Sequence, residues 1–500
     1  MSVLGKAIPA AAVLLALVAA SSCAEAREPE VTSSTQATQT SPSATTSTSR
    51  NPTRDKEFAA VSRLITGAIA ARKLPGAVVV VGHDGMTVFD QAFGLRKLAG
   101  EPGPDGAPAP EEPMTEDTIF DLASLTKPLA TATAVMQLYE QGKVQFDDPV
   151  QKYLPDFNPA NDPRRAEVTI RMMLTHTSGL VGEIDLGGRW GLDGGDKAEG
   201  LSRALTKPLE ASPGAGFRYS DINFILLGLM VERITGQPED VYVQEKVFAP
   251  LGMGDTRYLS MSKACGPQQI RGSAVALTAG PPTPCAAGEW DASLLSRIAP
   301  TARDEEGRAE PGANPDLDFL LRGTVHDPTA RRMGGVAGNA GVFSTAHDVG
   351  IYAQALLDRL AGRPSKFPLK QETLQLMTTP QQPGHTPQQV VDANAATQEA
   401  LAASPNTEHP LLAPHYPAIA GQNLRGFGWD IDTPHSKPRG MVFPIGSFGH
   451  VGFTGTSLWI DPASDTYVVL LTNVIHLRGS APITNLQGEL ATLAARALHL

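Results

Sequence analysis

Strand-like segments crowd the two ends of this sequence and leave its middle to helices. Near the start, "AVVVVGHDGMTVFDQAFG" (77–94) reads as two strands around an Asp84-Gly85 turn. Near the end, "RGFGWDID" (425–432), "FGHVGFTGTSLWIDP" (448–462) and "TYVVLLTNV" (466–474) read as consecutive antiparallel strands. A lone hairpin is marginal in water and exposes unpaired edges, so the two groups are expected to share one sheet. Between them, from Ser124 to about residue 330, lie helices and long loops. "TIRMMLTHTSGL" (169–180) and "DINFILLGLMVERITG" (221–236) are the clearest helices, the second stopped by Gly236. The expected fold class is therefore α/β (α+β) with two subdomains. An antiparallel sheet is built from both chain ends and flanked by the terminal helices, and an all-α subdomain is inserted in it, with a cleft between the two. Residues 380–423, rich in Gln, Ala and Pro, read as an excursion from that plan.

The chain has 500 residues, 41% of them hydrophobic, enough for such a core. Its net charge is −11 without a long basic run, which counts against a nucleic-acid partner. "MSVLGK" followed by "AIPAAAVLLALVAASS" reads as an export signal, too short to span a bilayer. Processing at Cys23 with lipidation competes with soluble cleavage after "AEA" (24–26). The Ser/Thr-rich stretch over residues 32–50 favours the lipid anchor, because a disordered tether commonly follows a lipidated cysteine. The expected organisation is a signal over 1–23, a disordered tether over 24–52 and one catalytic domain over 53–500. Localisation is then the bacterial cell envelope. Cys265 and Cys285 can close a disulfide in that oxidising compartment, or remain two free thiols.

Chemistry first shows in "DLASLTKPLATATAVMQLYEQGKV" (121–144), which reads as one helix with a single charge near its front. Pro128 is tolerable only near a helix start, so the helix begins close to Ser124. Ser124 and Lys127 are then neighbours at i and i+3. A serine hydroxyl becomes a nucleophile when a base takes its proton, and a partly desolvated neutral lysine can help. Lys127 pointing into solvent is the plain alternative. Tyr219, in "RYSDIN" before a helix, can serve as base or relay if a lysine lowers its phenol pKa. Alternatively it only packs, while Ser220 or Asp221 caps the helix. His450 and Gly452 stand on a late strand that can line a cleft, the glycine allowing a substrate backbone close.

Together, S-x-x-K at 124–127, the tyrosine element at 219–221 and the strand at 450–452 resemble the triple signature of serine β-lactamases and penicillin-binding proteins. The resemblance covers roughly residues 55–500. It is strongest to the branch of class C β-lactamases, D-Ala-D-Ala carboxypeptidases and related esterases, and it implies their β-lactamase/transpeptidase-like fold. Carried onto these positions, it implies that Ser124 is acylated and that Lys127 and Tyr219 shuttle its proton. It further implies that the backbone N–H groups of Ser124 and Phe453 form the oxyanion hole and that Asp221, His450 and Gly452 contact substrate, with no cofactor and no metal. Two positions depart from the β-lactamase pattern: Asp221 replaces an asparagine and His450 a lysine. Asp221 beside Lys127 is expected to pair with the ammonium, and His450, when protonated, to face a substrate carboxylate. G-x-S-x-G, H-E-x-x-H and Walker A motifs are absent from the sequence. The reading is an exported serine hydrolase acting on D-amino-acid peptides, peptidoglycan fragments included, or on small esters. A non-catalytic penicillin- or peptidoglycan-binding relative and a weak β-lactamase are its rivals.

Overall fold

The computed structural model describes residues 56–500 except 273, 279, 281–283, 307–311 and 313. The expected export signal and tether lie outside the described residues. The chain opens with α1 (Ala59–Ala70), the hairpin β1 (Gly76–His83) and β2 (Met86–Lys97), and the short strands β3 (Glu112–Pro113) and β4 (Phe120–Asp121). The inserted region carries α2 (Thr133–Glu140), α3 (Asp221–Thr235), β5 (Arg257–Tyr258), α4 (Pro328–Arg332), β6 (Val342–Ser344) and α5 (Ala346–Leu360). After α6 (Gln388–Ala403) come β7 (Leu424–Arg425), β8 (Asp430–Asp432), β9 (Phe448–Val451), β10 (Ser457–Asp461), β11 (Thr466–Thr472) and the closing α7 (Thr484–Ala497).

The two ends meet in one eight-stranded antiparallel sheet of order β7-β8-β9-β10-β11-β1-β2-β3. β1 runs against β11 from Ala77 opposite Thr472 to His83 opposite Thr466. Both strands are apolar almost throughout because both faces of the sheet are covered. Val78 and Val80, with Val469 and Leu471, join the core shared with the helical region. Ala77, Val79 and Val81, with Val468 and Leu470, point the other way, onto Ile65 of α1 and Leu490 of α7. Each such side chain, fully buried, stabilises the fold by about 1.5–3 kcal/mol.

Four local expectations change. Residues 121–144 are not one helix. Strand β4 leads into a 3-10 turn at Ala123–Leu125, a π-helical turn at Lys127–Ala132, and only then α2. Pro128 near the start supplies no N–H to a regular ladder, and π turns of this kind concentrate at functional sites. "TIRMMLTHTSGL" is helical only over Ile170–Leu174, because His176 turns to a left-handed φ of 55°. The middle of the chain also holds small strand pairs, Gln268–Arg271 with Ala274–Leu277 among them. The 380–423 excursion contains the 16-residue α6. Cys265 and Cys285 are joined in a disulfide.

The π turn is fastened from behind by Glu239, which is buried. Thr131 Oγ1 lies 2.7 Å from Glu239 Oε1 and 2.8 Å from the Gly338 carbonyl. A hydroxyl has one proton and a carbonyl only accepts, so both contacts hold together when the Glu239 carboxyl supplies the second proton. Burial pushes this carboxyl up to about 7. A raised folded pKa means that the stabilisation is complete below the ordinary value of 4.5 and is lost as pH rises through about 7. Glu239→Gln keeps the shape and cannot ionise. Its unfolding free energy in urea is expected to gain on the wild type by about 1.4 kcal/mol per pH unit across that window. Parallel pH profiles for the two proteins would count against the buried proton.

Candidate active site

The loop that presents Ser124 is built on a strained residue. Ala123 has φ +47°, which costs a residue with a Cβ roughly 1–2 kcal/mol. Hydrogen bonds on every side hold it there. The Ala123 N–H donates to Asp121 Oδ1 at 2.9 Å, and the Leu122 N–H to the Val342 carbonyl at 3.0 Å. Thr454 and Thr456 donate to the carbonyls of Asp121 and Leu122 at 2.8 and 3.1 Å. Asp121 Oδ2 accepts the His326 N–H at 2.8 Å.

Lys127 is fully buried. Its Nζ donates to Ser124 Oγ at 2.9 Å and to the Asn339 carbonyl at 3.0 Å, and pairs with Asp221 Oδ1 at 2.6 Å. Burial disfavours the charge, but Asp221 first and Tyr219 second outweigh it and hold Lys127 as an ammonium above its usual range. The solvent-facing alternative fails, and Asp221 pairs with the ammonium, which leaves no neutral lysine to help as a base. Ser220 is the N-cap of α3 and its side chain makes no capping hydrogen bond, while Asp221, the first residue of the helix, pairs with Lys127, which sets the capping alternative aside.

The Tyr219 hydroxyl lies close enough to Lys127 and Ser124 for both to pull on its proton. Its ring lies 5.0 Å from Lys127 Nζ and stacks on His176 at 4.4 Å. Burial pushes the phenol pKa up, and the pull of Lys127 does not reverse that. The expected lowered phenol is therefore corrected: Tyr219 rests neutral. His176, which sequence reasoning passed over, fixes the tyrosine segment by accepting the Ser220 N–H on Nδ1 at 3.1 Å.

His450 is buried on β9, with Nδ1 2.8 Å from the Val451 carbonyl. The carbonyl only accepts, so Nδ1 carries the proton. Burial pushes the imidazole down to about 3. The expected protonated His450 facing a carboxylate is corrected, since the ring stays neutral near physiological pH. Gly452 also serves within the chain. A Cβ there would stand 2.4 Å from the Leu122 carbonyl and 2.2 Å from Thr456 Oγ1. The missing side chain leaves room for the chain's own nucleophile loop, and Gly452 itself lines the cleft. Phe453 follows, its ring exposed and stacked on His326 at 5.8 Å. Its N–H makes no hydrogen bond among the described residues.

These groups surround a cleft of about 530 Å³ lined by Ser124, Tyr219, Asp221, Asp327, His450 and Phe453. Lys127 lies just beneath it. Every residue singled out from sequence is thus brought together. Asp327 caps α4, accepting the Ala330 N–H at 2.7 Å, and it is also cleft wall. Burial and the nearby Asp221 push it up to about 6. Its only sequence signal is a polar pair, His326-Asp327, ahead of Pro328. A larger cavity of about 710 Å³ in the excursion, lined by His409, Tyr416 and Lys437, holds none of this chemistry.

Gly452→Ala is expected to push the nucleophile loop away from β9. A misplacement of this size costs on the order of 10²-fold in turnover. The check is kcat on a chromogenic ester beside the melting temperature, and an unchanged kcat would show that the contact is not needed.

The sequence pattern of the Beta-lactamase family matches residues 61–491. The chain is 28% identical over 424 residues to a "Putative D-alanyl-D-alanine carboxypeptidase" of Escherichia coli (strain K12), spanning 82% of this chain and 81% of that one. It is 30% identical over 439 residues to "Esterase EstB" of Burkholderia gladioli, spanning 83% and 90%. Among solved structures it superposes on EstCE1, described as a hydrolase with promiscuous acyltransferase activity. The TM-score is 0.54 at 24% identity, over 88% of this chain and 99% of that one, a likeness of fold. The family pattern, running from α1 to α7 across sheet, cleft and helical region alike, establishes that this chain belongs to the β-lactamase family of serine hydrolases.

Proposed function

We propose that this protein is an exported serine hydrolase that works through an acyl-enzyme on small esters or D-amino-acid peptides of the cell-wall type. The observation that carries the reading is the 2.9 Å contact of Lys127 Nζ with Ser124 Oγ beside the cleft, with the Tyr219 hydroxyl in reach of both. Ser124 Oγ bonds to the acyl carbon and the bond to the leaving atom, the oxygen of an ester or the nitrogen of a peptide, breaks. Tyr219, being neutral, acts as a relay: it takes the Ser124 proton and hands its own to that leaving atom. The Lys127 ammonium steadies the negative charge that grows on the phenol oxygen meanwhile. The N–H groups of Ser124 and Phe453 hold the oxyanion, and such a donor is worth about 2.7–4 kcal/mol. Water then takes the place of the departed alcohol or amine and runs the relay in reverse. The carboxypeptidase and esterase relatives support the choice of substrates. The apolar run over 7–22 and Cys23 support export with a lipid anchor.

Asp221 shapes the preference. As a carboxylate it only accepts, so it offers no donor to an acylamide carbonyl, and its ion pair denies the site a neutral lysine. Both effects weigh more on amides and lactams than on activated esters.

A fluorophosphonate probe is expected to label the wild type and to leave Ser124→Ala unlabelled at unchanged melting temperature. Labelling at another serine in that variant would overturn the assignment, and a wild type that holds an ester-derived label without turnover would be a binding protein instead. Ester kcat/KM is expected to exceed cephalosporin kcat/KM by orders of magnitude, and Asp221→Asn to narrow the gap. An unchanged ratio would remove Asp221 from substrate selection.

A further inference from the structure

Four carboxylates line the cleft, Glu183, Asp221, Asp327 and Asp430, beside His326, His435 and His450, and no lysine or arginine does among the described residues. The cations nearby are already matched. Lys127 pairs with Asp221, and buried Arg425 pairs with Asp430, whose Oδ1 also accepts from Thr433 at 2.8 Å. Farther out beside Phe453, Arg303 pairs with Glu101 and Arg478 with Glu305 and Asp318. A carboxylate entering this cleft therefore meets four carboxylates and no unpaired lysine or arginine among the described residues.

Two buried atoms sharpen the point. His450 and Asp430, 2% and 1% exposed, both line the cleft, and His450 Nε2 and Asp430 Oδ2 have no hydrogen-bond partner. His450 spends its N–H on the Val451 carbonyl, so Nε2 presents a lone pair. The carboxylate oxygen of Asp430 is likewise an acceptor. The charged and titratable groups facing His450 are Asp430, Arg425 and Lys127, with the Tyr219 ring at 6.0 Å and His176 behind it. Two unsatisfied acceptors on residues that line one cleft call for a donor from the ligand.

We propose that the cleft wall formed by His450 and Asp430 selects substrates carrying a neutral or cationic hydrogen-bond donor, a hydroxyl, an amide N–H or an ammonium, and turns away those that present a carboxylate. The inference rests on the serine-hydrolase reading above. It narrows the substrate class to esters and amides without a free terminal carboxylate.

The test is a series of p-nitrophenyl esters of one chain length: hexanoate, 6-hydroxyhexanoate, 6-aminohexanoate and hydrogen adipate, each with fluorophosphonate labelling of the same preparation. The amino and hydroxy esters are expected to exceed the adipate on the order of tenfold in kcat/KM, chiefly through KM, as complementary against repulsive charge requires. His450→Lys adds a cation and a donor to the wall and is expected to raise the adipate against the amino ester. Glu183→Gln, at an exposed position where folding is not at stake, is expected to narrow the gap between amino ester and adipate. Labelling and turnover with the adipate equal to or above the amino ester would overturn the selectivity while leaving the hydrolase standing. Absence of both labelling and turnover would overturn the hydrolase and the selectivity with it.

Discussion

A lysine ammonium sealed from water survives here because a carboxylate stands 2.6 Å from it. The Lys127–Asp221 pair joins the π turn after Ser124 to the first residue of α3, and the Asn339 carbonyl ties in the loop that leads to β6. Three separate stretches of chain thus converge on one nitrogen. Removing one partner from a buried pair leaves an uncompensated charge and typically costs about 3–5 kcal/mol. The pair therefore acts on fold and chemistry at once. It fixes where Ser124, Tyr219 and Asp327 stand relative to each other, and it sets the resting protonation of the site.

That protonation state shapes the chemistry. With Lys127 charged, Tyr219 neutral and His450 neutral, no strong base waits in the cleft. A concerted relay suits such a site better than full proton removal, and it serves good leaving groups best. The same buried charges account for the carboxylate-lined cleft wall, because each cation that might have met a substrate anion is already engaged by the protein itself. The strain at Ala123 belongs to the same design: the loop is held by β6 and by the Thr454 and Thr456 hydroxyls, so the serine is positioned by tertiary contacts rather than by local preference.

Much of the architecture was legible in the sequence because it rests on periodicity and on a topological constraint. The continuous apolar runs of β1 and β11, the Asp84-Gly85 turn and Gly236 closing α3 are local signals, and strands at both ends leave little choice but a shared sheet. Helix extent was less legible. The apolar run after Lys127 matches a regular helix, and only Pro128 and the contacts of Thr131 and Thr133 impose the wider π turn. His176 ends its helix early because its ring is needed under Tyr219, a demand with no local signature.

The sequence by itself determined which side chains were available for chemistry and their order along the chain: Ser124 three residues before Lys127, then Tyr219 with Asp221, then His450 with Gly452. Tertiary structure alone decided their protonation and their partners. Spacing cannot say that His450 turns its proton to its own strand, that Gly452 makes room for Leu122, or that Asp327 lines the same cleft as Asp221. The physical reason is that pKa values and close approaches depend on burial and on charges from distant segments, and these exist only once the sheet and the helical region have closed around one another.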